Sequence, residues 1–213
     1  MDKNLMAILE KRAARTIENL AKNNMPGFYV KTREQAVEKV AELMKEGELV
    51  AVGGSMTLFE TGIIEHLRSG RYSFLDRYIE GLSSAQKEEI YRKSFLADTY
   101  LTSTNAITEA GELYNVDGTG NRVAAMIYGP KSVIVVAGIN KIVRDINEAV
   151  ERVRRIAAPA NCTRLDTGTP CIKTGYCVNC RNEGRICCSY TVLGYQRQKD
   201  RIKVIIVGED LGY

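Results

Sequence analysis

The first 161 residues contain no cysteine, and the whole chain holds a single histidine, His66. No window approaches the ~18 apolar residues of a membrane span, so none is expected. The opening MDKNLMAILEKRAARTIENL lacks the uninterrupted apolar stretch of a secretory signal. It reads as a charged amphipathic helix over 2–22, and a cytoplasmic protein is expected. With 30 basic and 26 acidic residues the net charge is only +4. That is too mild for a nucleic-acid partner, and neither a Lys/Arg run nor an interleaved aromatic set argues for one. There is no internal repeat and no low-complexity linker. At 213 residues and 45% apolar content, the chain is long enough to form one domain, 1–213, around its own core.

What is present alternates between two periodicities. Helical spacing of apolar residues recurs over 2–22 (Leu5, Ile8, Leu9, Ala13, Ile17, Leu20) and from Thr32 to about Lys45, where Thr32 and Gln35 have the spacing of a capping box. Further helices are expected over 57–67, 83–95, 122–128, 145–157 and 159–165. Between them lie strand-like runs at 28–31, 49–52, 72–76, 100–104, 112–116, 132–137, 191–193 and 201–207. SVIVVA (132–137) is apolar at nearly every position, which suits a strand covered on both faces. The alternation predicts an α/β fold with a mostly parallel sheet flanked by helices.

The stretch 97–138 gathers small polar residues where its strands end: Ser103, Thr104, Asn105, Thr108, Glu109, Asp117, Thr119 and Asn121. Open α/β sheets bind ligands at such positions. Upstream, the strand LVAV leads into Gly53-Gly54-Ser55 and then a helix from Thr57. That is either an anion cradle, with backbone N–H groups pointing at the ligand, or a turn that only reverses the chain. Asp117-Gly118-Thr119-Gly120-Asn121 can hold a sugar hydroxyl or an amide, or simply cap the next helix. It is not a dinucleotide fingerprint, because Val123 stands at the third glycine position. Gly129-Pro130-Lys131-Ser132 lacks the glycine before lysine that a phosphate-binding P-loop requires. Glu109, between hydroxyl residues and Gly111, is the candidate catalytic carboxylate, as base or nucleophile. Its alternative is a structural pairing with Arg122 or Lys141. His66 reads as a surface or core histidine.

All six cysteines fall within 162–188. Cys171, Cys177, Cys180 and Cys187 follow C-x5-C-x2-C-x6-C, with Pro170, Gly175 and Gly184 supplying turns. The C-x2-C pair lets two thiolates share one centre, so the candidate cofactor is an iron–sulfur cluster or zinc held by four thiolates. The spacing matches neither a two-plus-two zinc ribbon nor the usual ferredoxin run. Disulfides, inert buried thiols and a redox dithiol at Cys177/Cys180 are the alternatives. The roles of Cys162 and Cys188 stay open.

Together GGSMTLFETGI (53–63), the block 97–143, TPCIKTGYCVNC (169–180) and RIKVIIVGEDLGY (201–213) resemble the LUD-domain family, which includes the lactate-utilisation protein C group. The cysteine segment makes the chain similar to a cysteine-bearing subgroup. The resemblance implies a fold related to the CoA-transferase, ribose-5-phosphate isomerase and glucosamine-phosphate deaminase superfamily, with Gly53-Gly54-Ser55 at the anion-binding turn. Glu109-Ala110-Gly111 loosely resembles the Glu-Asn-Gly motif of CoA transferases, without its Asn. On this footing two functions are carried forward. One is a subunit or accessory of lactate or organic-acid oxidation, bearing a cysteine-held centre, binding a small anionic ligand and working with iron–sulfur subunits. The other is a stand-alone sugar-phosphate or CoA-ester enzyme or binder in which zinc is structural. A homo-oligomer is compatible with either.

Overall fold

Two β-branched runs, SVIVVAG and IKVIIV, bury almost every side chain and form the middle of the molecule. The computed structural model describes residues 2–213. In chain order its elements are α1 (Lys3–Lys22), β1 (Gly27–Val30), α2 (Arg33–Leu43), β2 (Leu49–Val52), α3 (Met56–Glu60), α4 (Ile63–Leu67), β3 (Ser73–Leu75), α5 (Ser84–Lys93), β4 (Thr99–Thr102), β5 (Ala106–Thr108), β6 (Leu113–Asp117), α6 (Asn121–Ile127), β7 (Ser132–Gly138), β8 (Ile142–Val143), α7 (Ile146–Arg152), α8 (Ala158–Leu165), α9 (Cys171–Thr174), β9 (Ser189–Leu193) and β10 (Ile202–Val207). Six strands form one parallel sheet in the order β1-β10-β7-β4-β2-β3. The predicted α/β architecture with a mostly parallel sheet is therefore present. No helix among the described residues is long and apolar enough to cross a membrane.

Helices cover both faces of this sheet. On one, Ala13 and Leu20 of α1 pack with Tyr100, Val133, Val135 and Ile206; on the other, α2, α3 and α4 pack with Val50, Leu101, Ile134 and Val207. Each fully buried branched side chain stabilises the fold by about 1.5–3 kcal/mol. Thr32 caps α2 as expected, though without the full reciprocal box. Thr32 accepts from the N–H of Gln35, while Gln35 reaches the N–H of Lys31 rather than that of Thr32. Ser83 and Gln86 form a complete reciprocal box at the start of α5. Leu5 and Ile8 are exposed, so the predicted apolar stripe of α1 is buried only in its second half.

Three features differ from the sequence reading. The single helix expected over 57–67 is split by Gly62, which adopts φ +78°, a conformation glycine takes at little cost. The helices expected at 145–157 and 159–165 are one rod, joined through a π turn at Val153–Ala157. Pro159 has no N–H to give the preceding turn, and the wider π turn absorbs that gap. Finally, β8-β5-β6-β9 make a second sheet that is part antiparallel, with the cysteine segment running between α8 and β9.

Candidate functional site

The carboxyl ends of β2, β4 and β7 sit side by side at the centre of the parallel sheet. Just beyond them lies a cavity of about 320 Å³, closed by the turn after β6, by one face of α8 and by Ile186. Of the candidate ligand residues, Gly54, Ser55, Ser103, Thr104, Asn105, Asp117, Gly118 and Asn121 line it. Gly53, Thr57 and Gly120 stand behind that wall. The two glycine turns predicted separately thus meet in one site.

Gly53 is required by contact rather than by a ligand. A Cβ there would lie 2.7 Å from Thr102 Oγ1, 2.8 Å from Arg122 Cγ and 2.9 Å from Tyr100 Oη. Ser55 spends its hydroxyl capping α3, accepting from the N–H of Leu58. The Asp117 turn also caps: Asp117 Oδ2 accepts from the N–H of Val123, and Asn121 Oδ1 accepts from Thr119.

Arg122, buried and spanning both turns, is part of the polar wall. Its guanidinium donates to Ser103 O (3.0 Å), Asn115 Oδ1 (2.6 Å), Asn105 Oδ1 (3.2 Å) and Val116 O (3.0 Å), with Asp117 Oδ2 at 3.5 Å. Burial lowers its pKa, and Asp117 opposes the shift. Such charge-assisted bonds fix the wall's geometry. Arg152 of α7 braces it from outside, donating to Asn105 O at 2.7 Å and Asn140 O at 3.1 Å.

Three more cations reach the cavity: Arg77, Arg164 and Lys141. Arg77 donates to Tyr91 Oη at 2.7 Å and packs over that ring at 4.4 Å; Arg164 donates to Asn161 Oδ1 at 2.8 Å. Neither makes an ion pair among the described residues. Lys141 is 2% exposed, with Nζ 3.0 Å from both Thr57 Oγ1 and Ser103 Oγ. Burial foremost, then the charges of Arg152 and Arg122, push it down to about 7, against a small opposite pull from Glu60. Asp117 is the one acidic side chain lining the cavity among the described residues, and it already faces Arg122. Basic side chains thus outnumber acidic ones in the cavity lining. None of these cations was singled out as a ligand residue from the sequence.

Glu109 lies elsewhere. It does not line the cavity; Arg12 and Arg15 of α1 hold it at 2.8 and 3.0 Å, and its backbone carbonyl accepts from Asn19. Burial works against its charge, but these guanidinium bonds outweigh it and keep the carboxyl below its usual range. The partners are not the Arg122 or Lys141 considered from the sequence but Arg12 and Arg15. His66 meets only Tyr72, at 3.2 Å.

On the far side of α8 lies a second, very small cavity of about 10 Å³. Cys171, Cys177, Cys180 and Cys187 line it together with Cys162, the buried α8 residue left open by the sequence. Cys188 is exposed. Burial, together with the nearby sulfurs of Cys162, Cys177 and Cys171, pushes the Cys187 thiol up to about 12. Cys171 is raised by burial and by Cys162, against a bond from Thr169. The N–H of Asn179 points at Cys177 Sγ at 3.4 Å. The donor set suits a soft cation, whose charge would reverse the mutual repulsion of the sulfurs. Among the described residues, however, no three His, Cys, Asp or Glu side chains stand close enough to grip one ion as they are placed. The two cavities share Ile186 and are divided by α8: Ala157, Asn161 and Arg164 face the first, Ala158 and Cys162 the second.

No curated protein matches the sequence. Among solved structures, a DUF162 family protein from Deinococcus radiodurans is similar over 95% of this chain and 98% of that one, with a TM-score of 0.51 and 17% identity. At such identity the likeness is one of fold. Weaker similarity reaches the tetrameric eIF2B-beta2-delta2 complex from C. thermophilum, with a TM-score of 0.43, 14% identity and 83% of this chain against 55% of that one. For eIF2B delta from Chaetomium thermophilum the TM-score is 0.34 at 17% identity, over 55% and 50% of the two chains. The LUD-domain profile matches residues 13–207, and the chain belongs to the LUD-domain family.

Proposed function

We propose that this LUD-domain chain binds a small organic anion in the sheet-end cavity and serves as a subunit or accessory of lactate or organic-acid oxidation. The observation that carries this reading is the cavity's charge: Arg77, Arg164 and Lys141 converge there without a carboxylate partner of their own. An anion satisfies both guanidinium groups, which match a carboxylate or phosphate in two-pronged geometry, with the amine of Lys141 beside it. The thiol cavity across α8 supports the second half of the reading. Cys171, Cys177, Cys180 and Cys187, with Cys162 beside them, would hold an iron–sulfur cluster or zinc. A cluster supplies one-electron chemistry when bound. Ile186 lines both cavities, so the two lie next to each other. Separate iron–sulfur subunits would then pass the electrons on.

The test has two arms. Calorimetric titration with lactate and pyruvate is expected to show binding that Arg77→Ala together with Arg164→Ala weakens strongly. Protein purified without air is expected to carry iron and sulfide, with visible absorbance lost in Cys177→Ser. Zinc without colour would favour the stand-alone sugar-phosphate or CoA-ester reading, in which the metal only ties the 171–188 segment to α8. No binding of any organic acid or phosphate ester would sink both.

A further inference from the structure

The geometry of Lys141 points to a second chemistry in the same cavity. Ser103 Oγ donates to Thr104 O and Thr57 Oγ1 to Leu211 O, each at 3.4 Å, so both hydroxyls are left to accept from Lys141 Nζ at 3.0 Å. Two N–H groups are thereby spent. The third position on nitrogen has no partner among the described residues, and Lys141 lines the cavity wall. A buried ammonium without a carboxylate is costly, whereas a neutral amine fits this setting: two N–H donors placed, one lone pair turned to the ligand. We propose that Lys141 is a nucleophilic amine that forms a Schiff base with the carbonyl of an anionic substrate whose charged group rests on Arg77 and Arg164. The substrate class is a carbonyl compound carrying a carboxylate or phosphate, such as a 2-oxo acid or a keto-sugar phosphate. The proposal rests on the cavity being an anion site.

In the step, the nitrogen lone pair attacks the carbonyl carbon and a C–N bond forms. One amine proton passes to the oxygen, giving a carbinolamine. The second follows as the C–O bond breaks, and the oxygen leaves as water while C=N forms; hydrolysis reverses the sequence. No oxidant is needed. The groups facing the amine are Thr57, Ser103, Arg122, Arg152 and Glu60. The two arginines disfavour the ammonium, Glu60 favours it only weakly, and the amine is held near neutrality at about 7.

The experiment is reductive trapping of the full chain with pyruvate or dihydroxyacetone phosphate and cyanoborohydride, followed by intact mass and peptide mapping. The expected result is one reduced adduct per chain, on Lys141, with a rate rising about tenfold between about pH 6 and about pH 8 as the amine deprotonates. The two substrates separate the carboxylate from the phosphate source. Lys141→Arg cannot form the adduct, and its circular dichroism spectrum verifies folding. Lactate and glycerol phosphate, which lack the carbonyl, are titrated in parallel. Binding of these without trapping at Lys141 overturns the proposal and leaves the anion site standing. Neither binding nor trapping overturns both. Adducts scattered over surface lysines, unchanged in Lys141→Arg, likewise overturn it.

Discussion

Replacing Lys141 by methionine should change how stability depends on pH, by an amount the structure sets. An ordinary lysine titrates near 10.5, and burial beside Thr57 and Ser103 pushes this one down to about 7. At about 1.4 kcal/mol per pH unit, the fold holds this proton less tightly by on the order of 5 kcal/mol. Because the folded value is the lower one, the whole cost stands below about pH 7, where folded and unfolded chains both carry the proton. Above that pH the folded lysine is neutral while the unfolded one still binds a proton. The cost therefore shrinks as pH rises and vanishes near 10.5. Methionine fills similar space without the amine. The stability of Lys141→Met relative to wild type should thus be greatest near neutrality and fall by about 1.4 kcal/mol per pH unit toward about pH 9. Urea unfolding of both proteins measures this directly, since cysteines and tyrosines titrate in each and cancel in the difference. The two lost hydroxyl contacts add an offset but no slope. A difference independent of pH would refute the assignment of a neutral buried amine.

Arg122→Met should destabilise the chain by about 3–5 kcal/mol, because Ser103 O, Val116 O and the Asn105 and Asn115 amide oxygens lose their donor at once; thermal or urea unfolding reads this. Gly53→Ala should cost about 1–3 kcal/mol and weaken anion binding, since the methyl displaces Thr102, Arg122 and Tyr100 together. Glu109→Gln should cost about 1 kcal/mol, its partners Arg12 and Arg15 being partly in solvent, and leave anion affinity unchanged. A large loss of affinity on calorimetry would return Glu109 to the site.

Much of the fold was legible because its signals are local. The runs at β2, β7 and β10 and the Thr32 cap depend on residues within a few positions of each other. The second sheet was not, since β5 and β8 have three and two residues, and beyond the local β5–β6 hairpin its strands β8 and β9 join from far along the chain. The polar turns of the site were found because glycine, serine, asparagine and aspartate mark strand ends. The cations were missed for a physical reason. Nothing near Lys141 in sequence announces its burial; Thr57 and Ser103, which enclose it, are 84 and 38 residues away. Glu109 misled because Gly111 beside it suggested open access. In fact a Cβ at Gly111 would lie 2.6 Å from the Asn19 and Leu20 backbone, so the glycine admits α1 rather than a substrate.

The place of β10 has a consequence for how the chain is made. It lies between β1 and β7, pairing with each along four and six residues, yet both neighbours leave the ribosome before it. Until it arrives, β1 and the outer side of β7 present open, apolar hydrogen-bonding edges, the kind that recruits wrong partners. The nascent protein must therefore hold the slot between β1 and β7 vacant, and the parallel sheet closes only when residues 202–207 slide in as a keystone.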